Sequence, residues 1–141
     1  MAGKGPEENL FIQKFNDLLG TDFEFKGVVS GDQKTELLKK CNVFLLPSFY
    51  EGLPMALIES MSFGLVPVTT NVGSIKSVIE NGKNGIFVST HSSEEIAAAI
   101  EKLLKDKECL ELLSKNARQF IFSNFNPEMY IARLNEIYNY E

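Results

Sequence analysis

The sequence predicts an α/β fold built on a parallel sheet with helices on its faces. Two observations carry this. Short apolar, β-branched runs alternate with helical patterns along the first ninety residues. The runs are apolar at successive central positions, as expected of strands covered on both faces. The candidate strands are Phe23–Val29, Asn42–Pro47, Val66–Thr70 and Gly85–Val88. Between them, Glu7–Leu19, Asp32–Lys40, Pro54–Phe63 and a short Ser74–Glu80 read as helices. Breakers stand between these elements: Gly64 closes the third helix, and "NGKNG" (Asn81–Gly85) is turn chemistry before the last strand.

After Val88 the character changes and no strand pattern follows. Ser92 with Glu95 forms a capping-box signature. The helix it opens places Ile96, Ile100, Leu103 and Leu104 on one face. A second helix, about 107–123, carries Leu110, Leu113, Ala117 and Phe120. A third begins with Asn126 as cap and Pro127 at the first helical position, and presents Tyr130, Leu134, Ile137 and Tyr138. The 141 residues read as one partial domain, an α/β core over about 1–90 followed by helices over about 93–139.

Composition excludes several classes. The net charge is −5 and the lysines are scattered among acids, so no basic stripe offers itself to nucleic acid. No apolar run reaches the length of roughly 18–20 residues that spans a bilayer, and the polar start "MAGKGPEEN" does not read as a secretory leader. The expected location is the cytoplasm. Cys41 and Cys109 lack metal-ligand spacing and read as free thiols. No metal motif is present, and no metal or other cofactor is expected. His91, in "STHSSEE", reads as a solvated loop residue.

The chemistry concentrates in "PSFYEGLPMALIESMSFGLVPV" (Pro47–Val68). An almost wholly apolar helix carries one carboxylate, Glu59, and a second, Glu51, precedes it. A carboxylate among apolar residues is costly unless it is paired or hydrogen-bonded. In open α/β sheets ligands bind beyond the carboxyl ends of strands, which is where this loop falls. The helix start offers unpaired N–H groups and a positive dipole end to an anion such as phosphate. Gly52 permits close approach, and Pro54 supplies no N–H, so the donors would be Leu53, Met55 or Ala56. A glycosidase pair would stand about 5–9.5 Å apart across one bond, whereas eight helical residues rise about 12 Å. Two ends of a long ligand suit the spacing better than two sides of one bond. On spacing alone, a loop charge at Glu51 and an ion-paired or backbone-capping Glu59 remain open.

The residues "EGLPMALIE" resemble the Glu-x7-Glu signature of retaining nucleotide-sugar glycosyltransferases, glycosyltransferase family 4, which have the two-domain GT-B architecture. The similarity extends along most of the chain. "AGKGPEE" resembles the family's Gly-x-Gly-Pro loop, and "FEFKGVV" its third donor-domain strand. "CNVFLLPSFYEGLPMALIESMSFGLVPVTTNVGS" resembles its most specific block. "VIENGKNGIFV" and "FSNFNPEMYIARLNEIY" resemble its last strand and closing helix. The resemblance implies a Rossmann-like, incomplete C-terminal donor domain. It implies that Glu51 contacts the donor sugar and Glu59 the ribose, both assigned here to catalysis. Backbone at Gly52, Leu53, Met55 and Ala56 would hold phosphate and sugar oxygens, and backbone at Gly27, Val28 and Val29 would touch the base.

The implied reaction is retaining transfer of a hexosyl group from a UDP- or GDP-sugar, in a setting such as polysaccharide biosynthesis. The family's first donor-domain strand, its basic clamp on the diphosphate and its N-terminal acceptor-binding domain have no counterpart in the sequence. The fragment alone is therefore expected to be inactive. The missing domain is the expected partner and would place the protein at the inner face of the membrane. The alternative is a non-catalytic nucleotide-binding or assembly subunit that needs a separate N-terminal chain. A dinucleotide oxidoreductase is disfavoured, because "GKGPEE" is only a partial Gly-x-Gly-x-x-Gly and no strand precedes it. With strand one absent from an expected order of 3-2-1-4-5-6, "VFLLP" would be an open edge. It is expected either to drive self-association or to pair with "FKGVV".

Overall fold

The computed structural model describes residues 1–138; residue 139, where the sequence reading ends its last helix, lies outside them. The chain forms two compact units, Met1–Lys40 and Cys41–Glu141.

In the first unit, α1 (Glu8–Leu19) and α2 (Gly31–Lys40) form where the sequence pattern places helices. Phe11, Phe15 and Phe23 stack in series, with ring centroids 6.3 and 5.2 Å apart. The expected strand Phe23–Val29 does not form. Its side chains do alternate, with Phe23, Phe25, Gly27 and Val29 half-buried and the residues between them exposed. What it lacks is a partner of sufficient length. The Met1 amino group donates to the Glu24 carbonyl, Lys26 N–H to Met1, and Gly3 N–H to Gly27, and the pairing stops there. Gly27, at φ 60°, then turns the backbone out of the extended region. Two surface pairs finish the unit: Lys26 holds the Glu24 carboxyl, and Lys39 the Glu36 carboxyl, below the ordinary carboxylate range.

The second unit carries the sheet. β1 (Val43–Leu46), β2 (Val66–Thr70) and β3 (Ile86–Val88) are parallel and lie in the order β1-β2-β3. This agrees with the order of the last three strands expected from the sequence. β1 is an edge, and the expected direct pairing of "FKGVV" with "VFLLP" is not found, because Phe23–Val29 forms no strand. β2 is buried at every position and sits in the centre. It contains Pro67, which offers no ladder donor; the ring is accommodated because Gly85 has no side chain, and a Cβ there would stand 2.7 Å from the Pro67 Cγ.

Period-two alternation divides the core between the two sheet faces. Phe44 and Phe87 pack with Leu57, Ile58, Met61, Ile75, Val78 and Ile79. Val66, Val68 and Val88 pack with Ala99, Leu103 and Leu113. The helix between β1 and β2, α3 (Met55–Ser62), belongs to the first cluster. It ends in a Schellman motif: Gly64, at φ 83°, donates to Met61 and Leu65 donates to Ser60. The expected Ser74–Glu80 helix is only a 3-10 turn, Ile75–Ser77.

The helical tail follows the sequence closely. In α4 (Ser93–Lys105), Ser92 accepts from Glu95 N–H as a cap. The Glu95 carboxylate accepts from Ser89 N–H rather than completing the box at Ser92. The buried face runs through Ile96, Ala99, Ile100 and Leu103. Leu104 is a correction: it stands about 100° round the helix from Leu103 and is 74% exposed. α5 (Lys107–Asn124) buries Leu113, Ala117 and Ile121 under an Asp106 cap. α6 (Pro127–Tyr138) starts at Pro127 after the Asn126 cap and buries no residue fully, so the face predicted from Tyr130, Ile137 and Tyr138 is exposed. Among the described residues, no helix is long and apolar enough to cross a membrane.

Candidate functional site

All three strands end on the same side of a parallel sheet, and the loops that leave them meet around Ser48–Gly52. The loop after β1 is held from β2 first. Thr69 Oγ1 donates to the Leu46 carbonyl at 2.9 Å, and Thr70 Oγ1 donates to the Ser48 carbonyl. Both threonines are buried at the end of the central strand, so these bonds come from its rigid part. The loop after β2 adds a second hold. Ser74 N–H donates to the Gly52 carbonyl at 3.0 Å, and Gly73, at φ 55°, lies so close that a Cβ there would meet the Glu51 carbonyl oxygen at 1.9 Å. The turn after β3 supplies the third: the His91 and Phe49 rings lie 4.2 Å apart between centroids.

This anchored loop aims Glu51. Ser48 Oγ donates to Glu51 Oε1 at 2.7 Å, and the carboxylate is half-buried. One hydrogen bond leaves most of a carboxylate's acceptor capacity for a ligand. The helix that follows begins one residue later than the sequence suggests. Pro54 is extended (φ −71°, ψ 123°) and acts as the N-cap, where its missing N–H costs nothing. Its carbonyl accepts from Leu57 N–H, but it has no side chain to cap the first turn. The N–H groups of Met55 and Ala56 therefore have no intrahelical acceptor, and they stand at the positive end of the helix.

The faces of α3 separate its two roles. Leu57, Ile58, Ser60 and Met61 are buried, while Met55, Ala56 and Phe63 are on the open side and Glu59 is half-buried. Residues 55, 56, 59 and 63 share one helical stripe. Glu59 is thus not enclosed in apolar core, as its neighbours in sequence suggest; it lies on the outer stripe. Helical side chains lean toward the N-terminus, which carries Glu59 over the turn of Met55 and Ala56. Only the steps from Met55 to Glu59 are helical, a rise of about 6 Å.

The other residues singled out from sequence fall as follows. Leu53 is exposed between Gly52 and Pro54. Gly52 meets no protein atom within 4 Å of a built Cβ, so its lack of a side chain is not demanded by packing. Gly27, Val28 and Val29 belong to the first unit, in its irregular segment, whereas Glu51 and Glu59 belong to the second. Sequence reasoning missed Thr70, Gly73, Phe49 and His91. Only Gly73 left a local signal, the turn composition of "TNVGS" after a strand.

Beside this loop cluster, an open groove of about 360 Å³ is lined by Asn71, Val72, Phe87, Ser89, Thr90 and Glu95, at the carboxyl ends of β2 and β3. Among the described residues, no group of three or more His, Cys, Asp or Glu side chains is placed to hold a metal ion.

The parallel sheet thus carries a carboxylate-bearing loop and an uncapped helix start at its carboxyl edge. A sequence model of the glycosyl transferases group 1 family matches residues 1–120, and the chain belongs to that family. Over 102 residues it is 29% identical to the UDP-Gal:alpha-D-GlcNAc-diphosphoundecaprenol alpha-1,3-galactosyltransferase of Escherichia coli, covering 72% of this chain and 26% of that protein. Over 140 residues it is 29% identical to the N-acetyl-alpha-D-glucosaminyl L-malate synthase of Bacillus anthracis, covering 98% of this chain and 36% of that one. The chain thus spans about a quarter to a third of the length of these relatives. Among solved structures, Anabaena Alr3699/HepE in complex with UDP-glucose superposes with a TM-score of 0.84 at 19% identity, covering 98% of this chain and 39% of that chain. The fold is that of the GT-B glycosyltransferases.

Proposed function

We propose that the chain binds a nucleoside diphosphate sugar at the carboxyl edge of its sheet and serves as donor-binding part of a retaining hexosyltransferase. The observation that carries this reading is the pairing of an oriented carboxylate, Glu51, with the uncapped first turn of α3. Glu51 accepts from a hydroxyl of the transferred sugar. The diphosphate lies against the N–H groups of Met55 and Ala56, with Gly52 and Leu53 beside it. Glu59, on the same stripe, accepts from the ribose diol, for which a carboxylate is a natural partner.

Transfer breaks the bond between the anomeric carbon and the diphosphate, and negative charge grows on the leaving oxygen. A fixed helix N-terminus meets that charge without having to reorganise. The acceptor attacks from the leaving-group side. A uridine diphosphate sugar is the first donor to try, since the structurally similar Anabaena protein was solved with UDP-glucose.

The test is a pair of substitutions in a transferase that carries this domain. A hydrogen bond to a charged group contributes about 1.5–3 kcal/mol, so each loss should be about ten- to a hundredfold. Glu59→Ala should appear mainly as a raised donor KM, and Glu51→Ala mainly as a lowered kcat. Near wild-type kinetics in both variants would contradict the roles.

A further inference from the structure

His91 is the only non-glycine residue with positive φ among the described residues, at 63°. Histidine tolerates this region better than most residues, but an isolated instance invites a functional reason. The turn that presents it is tied by three hydrogen bonds. Ser92 N–H bonds to the Ser89 carbonyl, Ser92 Oγ caps α4 at Glu95 N–H, and the Glu95 carboxylate returns to Ser89 N–H. From this turn the imidazole reaches Phe49, forty-two positions earlier, at 4.2 Å and 33° between planes. Phe49 is 61% exposed even with this contact, and Tyr50 beside it is 90% exposed. Little else would fix this ring. Phe49 directly follows Ser48, whose hydroxyl bonds Glu51.

We propose that His91 is a positioning residue for Glu51. Its left-handed backbone turns the imidazole onto Phe49, and that contact fixes the loop through which Ser48 aims the carboxylate. The two other holds act on backbone, at the Ser48 and Gly52 carbonyls. The His91–Phe49 contact is the one that grips a side chain between them. Its consequence for donor binding rests on the reading of Glu51 given above.

The experiment uses the 141-residue chain and separates ring from backbone. His91→Gly keeps the left-handed turn without strain and removes the ring; His91→Phe keeps a ring. Amide relaxation is measured for residues 48–52. In the wild type the order parameter should be near 0.85, the value of rigid backbone, and in His91→Gly below about 0.6. His91→Phe should restore it. Phe49→Ala should match His91→Gly, and the double variant should be no looser than either single. The binding readout is titration with UDP-glucose. His91→Gly should weaken it about three- to tenfold, the range of one aromatic pair, and His91→Phe should recover it. If residues 48–52 stay rigid in His91→Gly, or loosen equally in His91→Phe, the clamp is overturned. If the wild type fails to bind UDP-glucose at residues 51–59, the donor reading fails instead, and the order parameters still decide the clamp.

Discussion

Gly73→Ala is expected to damage the site more than any other single-methyl change. At φ 55° a non-glycine residue costs about 1–3 kcal/mol from the backbone alone. The added Cβ would also stand 1.9 Å from the Glu51 carbonyl oxygen and 3.0 Å from that of Gly52. Those are backbone atoms, with no flexible side-chain end to swing aside. Either the loop after β2 lifts, breaking the Ser74–Gly52 bond, or the Glu51 peptide moves. Both outcomes misplace the carboxylate. Urea denaturation should show the loss of stability, and amide shifts should spread from the substituted position to residues 48–54. Gly52→Ala is the stability control, because its Cβ would meet nothing within 4 Å. A Gly73→Ala chain as stable as wild type, with unmoved Glu51 shifts, would mean that the two loops are not in contact.

Leu57→Ala is expected to cost about 2–5 kcal/mol, the range for truncating a fully buried leucine. Leu57 has no exposed surface and packs in the cluster with Ile58, Met61, Ile75 and Ala117. Its backbone N–H bonds the Pro54 carbonyl, a bond that alanine keeps, so the cost comes from the lost side-chain packing beneath the first turn of α3. Met55→Ala, on the opposite face and 66% exposed, should stay within about 0.5 kcal/mol. Urea midpoints compared at constant slope separate the two. Equal effects would show that α3 does not bury the face assigned to it.

Much of this architecture was legible from local pattern. β2 was readable because its apolar and β-branched residues stand between Gly64 and the polar turn at Asn71, and it is buried throughout. Two of the tail helices were readable from their caps, because Ser92 and Asn126 each act on an N–H two or three residues away. Phe23–Val29 misled because a strand is a property of two chain segments. Its pattern alternates correctly, yet its partner is only the short segment from Met1 to Gly3. Leu104 misled because adjacency to Leu103 does not give a shared helix face.

The site divides in the same way. Glu51, Glu59 and the helix between them lie within nine residues and could be seen together. The parts that orient Glu51 could not. Thr70, Gly73 and His91 reach the loop from twenty-two to forty-two positions away, through a sheet whose order no local window contains. His91 in particular has the composition of a solvated loop around it, and only its contact with Phe49 gives it a task.

On the proposed function, the Glu51 loop and the start of α3 form one donor site. Titration of the isotopically labelled 141-residue chain with UDP-glucose tests it directly, with amide shifts followed at every residue. Binding should be weak, on the order of millimolar, which corresponds to about −4 kcal/mol. The largest shifts should fall on residues 51–59, led by Gly52, Met55 and Ala56, and should fade in Glu59→Ala. Saturable shifts that avoid residues 51–59, or no shifts at all at ten times that concentration, would contradict it.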